Sequence, residues 1–395
     1  MSLTNYNETS VIFKGFIVKK TTLNKVTNTY EVFLSLPRKQ HTCPRCQQTT
    51  DKIKDYRQQQ IKDINILNYQ TIIVLLKRRY ICSHCGKCFA EENHLIAKYQ
   101  RNTLRLEQSI INECNLLQSF SQIAKRFNLS VTTIIRKFNI ISYSLPKLPE
   151  CISIDEFKGN ADNEKFQCNL TNPITHKILD ILPSRNTEKL YKYFLQFSRK
   201  ERLKVNLVVM DLSSLFRSVI TNVFPNAEIV ADKFHVIRLV VWAMEKVRKR
   251  IQKQFHKEKR RWCKRSKYLL TTPEYKLNAD EKLELNRILI SSEELSTAYA
   301  LKEYFYKIFQ ARNKAAAINQ LSNWLMLAGK SQLNEFKSCI TTFTRWSNEI
   351  VNVIEKKVTN AFTEGIHNKI KVLKRISFGV RNFNRFRNRI LYICA

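Results

Sequence analysis

CISIDEFKGNADNEKFQCNLTNPITHKILDIL at residues 151–182, with VNLVVMD at 205–211 and AEIVAD at 227–232, decides the fold. The first stretch breaks into three runs rich in β-branched and aromatic residues, Cys151–Phe157, Phe166–Leu170 and Lys177–Leu182. Glu188–Phe197 then reads as a helix, Val205–Met210 as a strand, Leu212–Val223 as a helix and Ala227–Ala231 as a strand. The order β-β-β-α-β-α-β is that of the ribonuclease H-like fold, whose centre is built from carboxylates at strand ends. Asp155 lies in the first strand, and Asp211 ends a fourth strand too apolar to be other than central and buried. In this order those strands are neighbours, so the two carboxylates can share a cation. Without one they repel, and one of them protonates. Two Mg2+ (or Mn2+) ions roughly 3.5–4 Å apart would activate water or a 3′-hydroxyl and stabilise the leaving oxygen of a phosphodiester. Glu156 should point to the opposite strand face.

Downstream, from Phe234 to about Arg375, the pattern is helical, with breaks near Thr271–Pro273, Ser291–Ser292 and Gly329. A third carboxylate is expected from a late helix, and Glu364 in NAFTEGIHNKIKVLKR is the best candidate. Asn368, Lys371 and Arg375 follow on the same helical stripe and suit phosphate beside a metal site. The 153 positions from Asp211 to Glu364 exceed what one strand and one helix need, which implies an all-helical insertion. Its first part, KVRKRIQKQFHKEKRRWCKRSK at 246–267, is densely basic with Glu258 as its single acid. Arg248, Arg250, Arg260 and Arg261 are candidate contacts to the DNA backbone, the alternative being a solvated charged face. Trp324 and Trp346 read as core residues, with a wedge beside a displaced nucleotide as the second option.

Upstream, Pro146 and Pro149 suit a linker. Val11–Val18, Tyr30–Leu36 and Thr71–Leu76 read as strands. Cys43-Pro-Arg-Cys46 and Cys82-Ser-His-Cys85 are two C-x2-C knuckles separated by 35 residues, and together they offer four thiolates to one structural zinc. His41, His84 or Cys88 could each replace one ligand. SFSQIAKRFNLSVTTIIRKF at 119–138 reads as a helix-turn-helix, with Ser130 capping the second helix. Thr132, Thr133, Arg136 and Lys137 are expected on its exposed face, suited to major-groove and phosphate contacts.

Composition fits this picture. Lys+Arg 68 against Asp+Glu 33 gives a net charge of +35 on 395 residues, which points to a polyanionic partner, nucleic acid before membrane. A hydrophobic content of 44% is enough for a sizeable core. No apolar run long enough for a membrane span and no signal peptide are visible, so a cytoplasmic protein is expected. Eleven cysteines in such a setting argue for metal ligation and buried thiols rather than disulfides. Having 6 glycines and no phosphate-loop or dinucleotide motif argues against an ATPase or redox enzyme, and no small-molecule cofactor is expected.

The chain as a whole resembles a DDE transposase of bacterial insertion sequences, of the ISL-three family. The resemblance runs from the CPxC knuckle through SIDEFKG, VVMDLS, FPNAEIVADKFHVIR and TEGIHNKIKVLKR to FRNRILY, over roughly residues 40–395. It implies association with a bacterial nucleoid, and cleavage and joining of double-stranded DNA at the element's terminal inverted repeats, with Asp155, Asp211 and Glu364 matching the family's three acids. Asp232 and His235 match a D-x-x-H signature, read as supporting or DNA-contacting residues, with Asp232 as the alternative second acid. The expected organisation is a β-rich zinc-finger domain (1–100), a helix-turn-helix (101–145), the first part of the core (150–233), a helical insertion (234–355) and the last catalytic helix with the tail (356–395). A homodimer or higher oligomer is expected, because two element ends must be brought together. The competing function is a catalytically inactive, sequence-specific DNA-binding regulator derived from a transposase.

Overall fold

The computed structural model describes residues 12–97 and 99–394. The chain forms two compact units, one spanning Met1–Ser142 with Arg375–Phe378 and the other Tyr143–Lys374 with Gly379–Ala395.

In the first unit, β1 (Ile17–Asn24), β2 (Thr29–Ser35), β5 (Ile53–Lys62), β6 (Gln70–Ile81) and β7 (Cys88–Ala90) form one sheet. β3 (His41–Thr42) and β4 (Thr49–Thr50) form a small ladder beside the first cysteine knuckle. The strand expected at Val11–Val18 begins in fact at Ile17, and Val11 itself lies outside the described residues. Phe13 and Phe16, three apart, are both buried around a turn at Gly15, whose φ of 87° favours glycine. Their spacing is therefore that of a turn rather than the alternation of a strand. The long β5 was not visible in the sequence because its central residues, KDYRQQQ, are polar; it pairs with β6 along its whole length. Three helices follow, α1 (Leu104–Glu113), α2 (Phe120–Arg126) and α3 (Val131–Phe138). Ser119 and Gln122 form a reciprocal capping box on α2, and the Ser130 hydroxyl accepts from Thr133 N at the start of α3, as the sequence predicted. Asn128 takes the left-handed turn between them at φ 48°.

The second unit is built on a five-stranded sheet of β8 (Cys151–Ala161), β9 (Glu164–Asn172), β10 (Lys177–Leu182), β11 (Leu207–Met210) and β12 (Glu228–Ala231). Their order across the sheet is β10-β9-β8-β11-β12. β9 runs antiparallel to its neighbours β8 and β10, whereas β11 runs parallel to both β8 and β12. This is the order and sense of the ribonuclease H-like fold. Between the strands lie α4 (Thr187–Phe194), α5 (Arg199–Arg202) and α6 (Ser214–Val223). Ile152, Ile154, Val208 and Met210 on one sheet face pack with Leu190, Phe194, Phe216 and Val219 of α4 and α6.

The helical insertion comprises α7 (Lys233–Gln254), α8 (Lys257–Arg265), α9 (Lys267–Thr271), α10 (Ala279–Ile290), α11 (Glu293–Ile308), α12 (Lys314–Lys330), α13 (Lys337–Arg345) and α14 (Ser347–Lys356). Trp324 and Trp346 are buried in its core, Trp324 packing edge-on or tilted against Phe305, Phe336 and Phe343, so neither is free to meet a base. The insertion is not set apart from the sheet. Val353 of α14 packs on Cys151, Val209 and Val230, and Asn352 Nδ2 donates to Ile229 O at 2.9 Å. α15 (Ala361–Ile376) and α16 (Phe383–Cys394) complete the unit. Arg387 of α16 holds the buried Asp180 of β10 through two hydrogen bonds of 2.5 and 3.0 Å.

Candidate active site, zinc centre and DNA-contacting surfaces

The sheet register sets the acidic site. Met210 of β11 aligns with Ile154 of β8 on one side and Ala231 of β12 on the other. One residue further along stand Asp155, within β8, and Asp211 and Asp232, just past the ends of β11 and β12, a row of three carboxylates across the sheet. Asp155 is buried, and its Oδ1 accepts from Glu156 N at 2.7 Å. Burial, with the Asp211 charge beside it, pushes its carboxyl up to about 7. Asp211 is pushed in the same direction, chiefly by burial, and its Oδ1 is buried with no hydrogen-bond partner. Crowded, poorly solvated carboxylates with an orphaned oxygen are a fit for a divalent cation, which would remove the penalty that burial imposes on them.

Asp232 is occupied differently. Its Oδ1 caps α7 by accepting from Phe234 N at 3.1 Å, and its Oδ2 meets His235 Nδ1 at 2.5 Å. That hydrogen bond is the main reason the imidazole of His235 is raised above its ordinary value. Glu156 is turned to Arg185, at 2.7 and 3.0 Å.

Glu364 sits in the first turn of α15, exposed. Asn368, Lys371 and Arg375 are likewise exposed along that helix, and Lys371 Nζ lies 3.4 Å from Asn368 Oδ1. A buried polar network fixes where α15 begins. Thr363 Oγ1 contacts Thr171 Oγ1 at 2.8 Å and Ser153 Oγ at 3.3 Å, and Ser153 Oγ donates to Asn360 Oδ1. Asn360 Nδ2 in turn reaches Asp155 Oδ2 at 3.5 Å, while His367 Nδ1 lies 3.6 Å from the same oxygen. Asn169, opposite Asp155 in the antiparallel register, is fully buried with neither polar side-chain atom partnered. Asn169, Asn360 and His367 carry no signal in the sequence, because only the pairing of β8 with β9 and the seating of α15 bring them to Asp155.

In the first unit, the sulfurs of Cys43, Cys46, Cys82 and Cys85 all lie within 4.8 Å of one another. The Cys43–Cys85 and Cys46–Cys82 pairs are each 3.6 Å apart, close to the edge of about 3.8 Å that a tetrahedron of Zn–S bonds requires. The four thiols thus fit zinc. Cys88 lies outside the cluster, receiving Lys54 Nζ at 3.4 Å; His41 stacks on Tyr80, and His84 is exposed.

Three expected DNA contacts are corrected. Lys137 is buried rather than on the outer face of α3, its ammonium held by Glu107 Oε1 and, at 3.2 Å, by Gln100 Oε1. Arg248 is buried as well, paired with Glu245 at 2.7 Å and donating to Cys263 O at 3.1 Å. Arg250 is half-buried between Glu335 at 2.7 Å and Glu294 at 2.5 Å. The basic stretch does not surround a single helix. It folds back at Phe255 and His256 into α7 and α8, and the turn puts some cations inside. Thr132 and Arg136 on α3, and Arg260 and Arg261 on α8, remain exposed, with Thr133 partly so. Arg260, Arg261, Lys257 and Lys264 line one cleft of about 510 Å3 with Phe255 and Gln252.

A ribonuclease H-like sheet with carboxylates at its strand ends, joined in one chain to a four-thiol zinc site and a helix-turn-helix, defines a DNA-processing protein. Comparison with known families makes this specific. A family model described as "Transposase" matches residues 152–390, the "zinc-finger of transposase IS204/IS1001/IS1096/IS1165" matches 39–85, and the "Helix-turn-helix domain of transposase family ISL3" matches 91–139. The chain belongs to transposase family ISL3. The transposase for insertion sequence element IS1001 of Bordetella parapertussis is 25% identical over 368 residues, 91% of this chain and 90% of its own length. A protein described as an ATP-dependent protease of Lactococcus lactis subsp. lactis is 29% identical over 107 residues, 27% of this chain and 33% of that protein, too short a match to bear on function. Among the described residues, no helix is long and apolar enough to cross a membrane.

Proposed function

We propose that the protein binds the terminal inverted repeats of its own insertion sequence and cuts and joins DNA strands there, with Asp155, Asp211 and Glu364 as its catalytic acids. The observation that carries this reading is the placing of Asp155, within β8, beside Asp211, just past the end of the adjacent parallel strand β11, both made reluctant to ionise by burial. Asp155, Asp211 and Glu364 would hold Mg2+ or Mn2+, two ions in the full site, and these would supply charge neutralisation at the phosphodiester and activation of the attacking oxygen. Asp155 is kept in place by Asn360 and by Glu156 N, and Asp211 offers its free Oδ1. Asp232 orients His235 at the edge of the site. Asn368, Lys371 and Arg375, exposed along α15 after Glu364, would grip phosphate.

Thr132, Thr133 and Arg136 of α3 would read the repeat in the major groove, and Arg260 and Arg261 would contact backbone without sequence preference. The helix-turn-helix and the zinc-bearing sheet would act together on the repeat. Two ends must be joined, so the working form is a homodimer or larger assembly acting on DNA in the bacterial cytoplasm.

The test is a cleavage and strand-transfer assay with Mg2+ on the DNA flanking the gene. Asp155→Asn, Asp211→Asn and Glu364→Gln should each keep DNA binding and lose cutting. Binding without cutting by the wild-type protein would favour a regulator instead. Full activity in one variant would remove that residue from the set, and activity in Asp211→Asn alone would move its role to Asp232.

A further inference from the structure

The first three turns of α7 carry a stack that the acidic site does not use. Phe234, Arg238 and Trp242 follow at intervals of four and so share one stripe of the helix. Phe234 and Trp242 are each 52% exposed, at the start of a helix whose other large apolar residues are buried, as Val236, Val240, Met244, Val247 and Ile251 are, or half-buried, as Ile237, Leu239 and Val241 are. The Arg238 guanidinium lies between them, 5.6 Å from the centroid of the Phe234 ring and 4.9 Å from that of Trp242. Its Nε is buried without a hydrogen-bond partner.

The stripe adjoins the acidic row. Phe234 lies two residues after Asp232 and is edge-on to His235, with ring centroids 5.8 Å apart. The Arg238 charge is close enough to Asp211 to favour its ionised form. Lys246 and Lys249, both exposed, continue the basic character of the helix beyond Trp242. A single exposed aromatic needs no explanation, but two held open on either side of a cation do. Aromatic faces alternating with a guanidinium are the chemistry that takes the flat face of a nucleobase together with its phosphate. In a duplex those faces are covered by neighbouring base pairs, so the partner has to be unpaired. A protein partner would call for a continuous apolar patch, and this one is interrupted by Arg238 and bordered by lysines.

We propose that Phe234, Arg238 and Trp242 form a stacking platform for an unpaired nucleotide of the strand lying at the acidic site. The proposal rests on the function given above, since cutting at Asp155 and Asp211 is what brings a displaced base to this place.

The experiment compares the affinity of the full-length protein for an oligothymidylate and for a blunt duplex, by fluorescence anisotropy with no added divalent cation. Trp242→Ala and Phe234→Ala should weaken binding of the single strand on the order of tenfold and of the duplex by less than about twofold, while Trp242→Phe stays near wild type. Thermal melting confirms that the variants are folded, as the exposure of both rings leads one to expect. Equal loss on both DNAs would overturn the proposal in favour of a plain backbone contact. Unchanged single-strand binding would overturn it too, and a change in sedimentation in that case would mark the stripe as a contact between protein chains. The cleavage assay on flanking DNA separates the two claims: wild-type protein that cuts, with single-strand binding indifferent to Trp242, loses the platform and keeps the function. Protein that never cuts but shows the single-strand loss keeps the platform and loses the function.

Discussion

His367 Nδ1 stands 3.6 Å from Asp155 Oδ2, linking the second turn of α15 to the first strand of the sheet. Burial pushes this imidazole down to about 4, so near neutral pH it is uncharged, and its ring packs on Phe157. A neutral ring fixes a carboxylate without competing for the cation. His367→Phe keeps the packing and loses the nitrogen. Single-turnover cleavage should fall on the order of tenfold, with the Mg2+ dependence shifted to higher concentration, as for other outer partners of metal ligands. Unaltered metal dependence would leave His367 a packing residue.

Stability should report the strain in the acidic pair. The folded chain holds a proton on Asp155 up to about pH 7, which the unfolded chain releases near pH 4. In buffer without Mg2+, stability should therefore fall as pH rises between those values and then level off. Asp155→Asn removes the effect and should stabilise the Mg2+-free protein by roughly 2–4 kcal/mol at about pH 8, with little difference near pH 4. Thermal unfolding at both pH values checks this; a destabilised variant at the higher pH would contradict it.

Metal analysis of purified protein should find about one zinc per chain. The double variant Cys43→Ser with Cys82→Ser should lose the metal, repeat binding and the local order of the two knuckles, since the small ladder there has little core of its own. Stoichiometric zinc retained in that variant would displace these cysteines as ligands.

The two classes of basic residue on α7 and α8 should separate cleanly. Arg248→Ala leaves Glu245 buried without its partner and should cost roughly 3–5 kcal/mol of stability. Arg260→Ala with Arg261→Ala should leave the melting temperature within a degree or so of wild type. The same pair should lower DNA affinity uniformly across sequences and flatten its salt dependence by about two.

On α3 the contrast is between neighbours. Arg136→Ala should weaken repeat binding while keeping the fold, whereas Lys137→Ala should destabilise the unit by leaving Glu107 with no cation. Loss of specific binding without loss of stability in Lys137→Ala would return that residue to the DNA surface.

The sequence by itself determined what local chemistry can write. Cys151–Phe157 announces a strand by apolar residues at alternate positions, and Leu207–Met210 announces one because a strand buried on both faces must be continuously apolar. Ser130 announces a helix start because its hydroxyl satisfies a backbone donor left without a partner inside the helix. The paired knuckles announce a metal because two C-x2-C turns have little other use for four thiols in one small β-unit. The order of strands and helices then gave the sheet, and with it the adjacency of Asp155 and Asp211.

Only the tertiary structure decided which charges face water. Arg248 and Lys137 belong to basic runs that look uniform along the chain, yet each meets a carboxylate on a neighbouring turn or helix and is drawn inside. β5 is a strand because β6 lies beside it and not because its own residues favour one. Asn169 on β9, and Asn360 with His367 at the start of α15, come from two distant segments and reach Asp155 through strand pairing and helix packing, while Trp242 is left exposed where Trp324 and Trp346 are buried. Periodicity records which face of an element is apolar. It holds no record of what lies opposite, and that is what sets the burial, pairing and ionisation of a polar side chain.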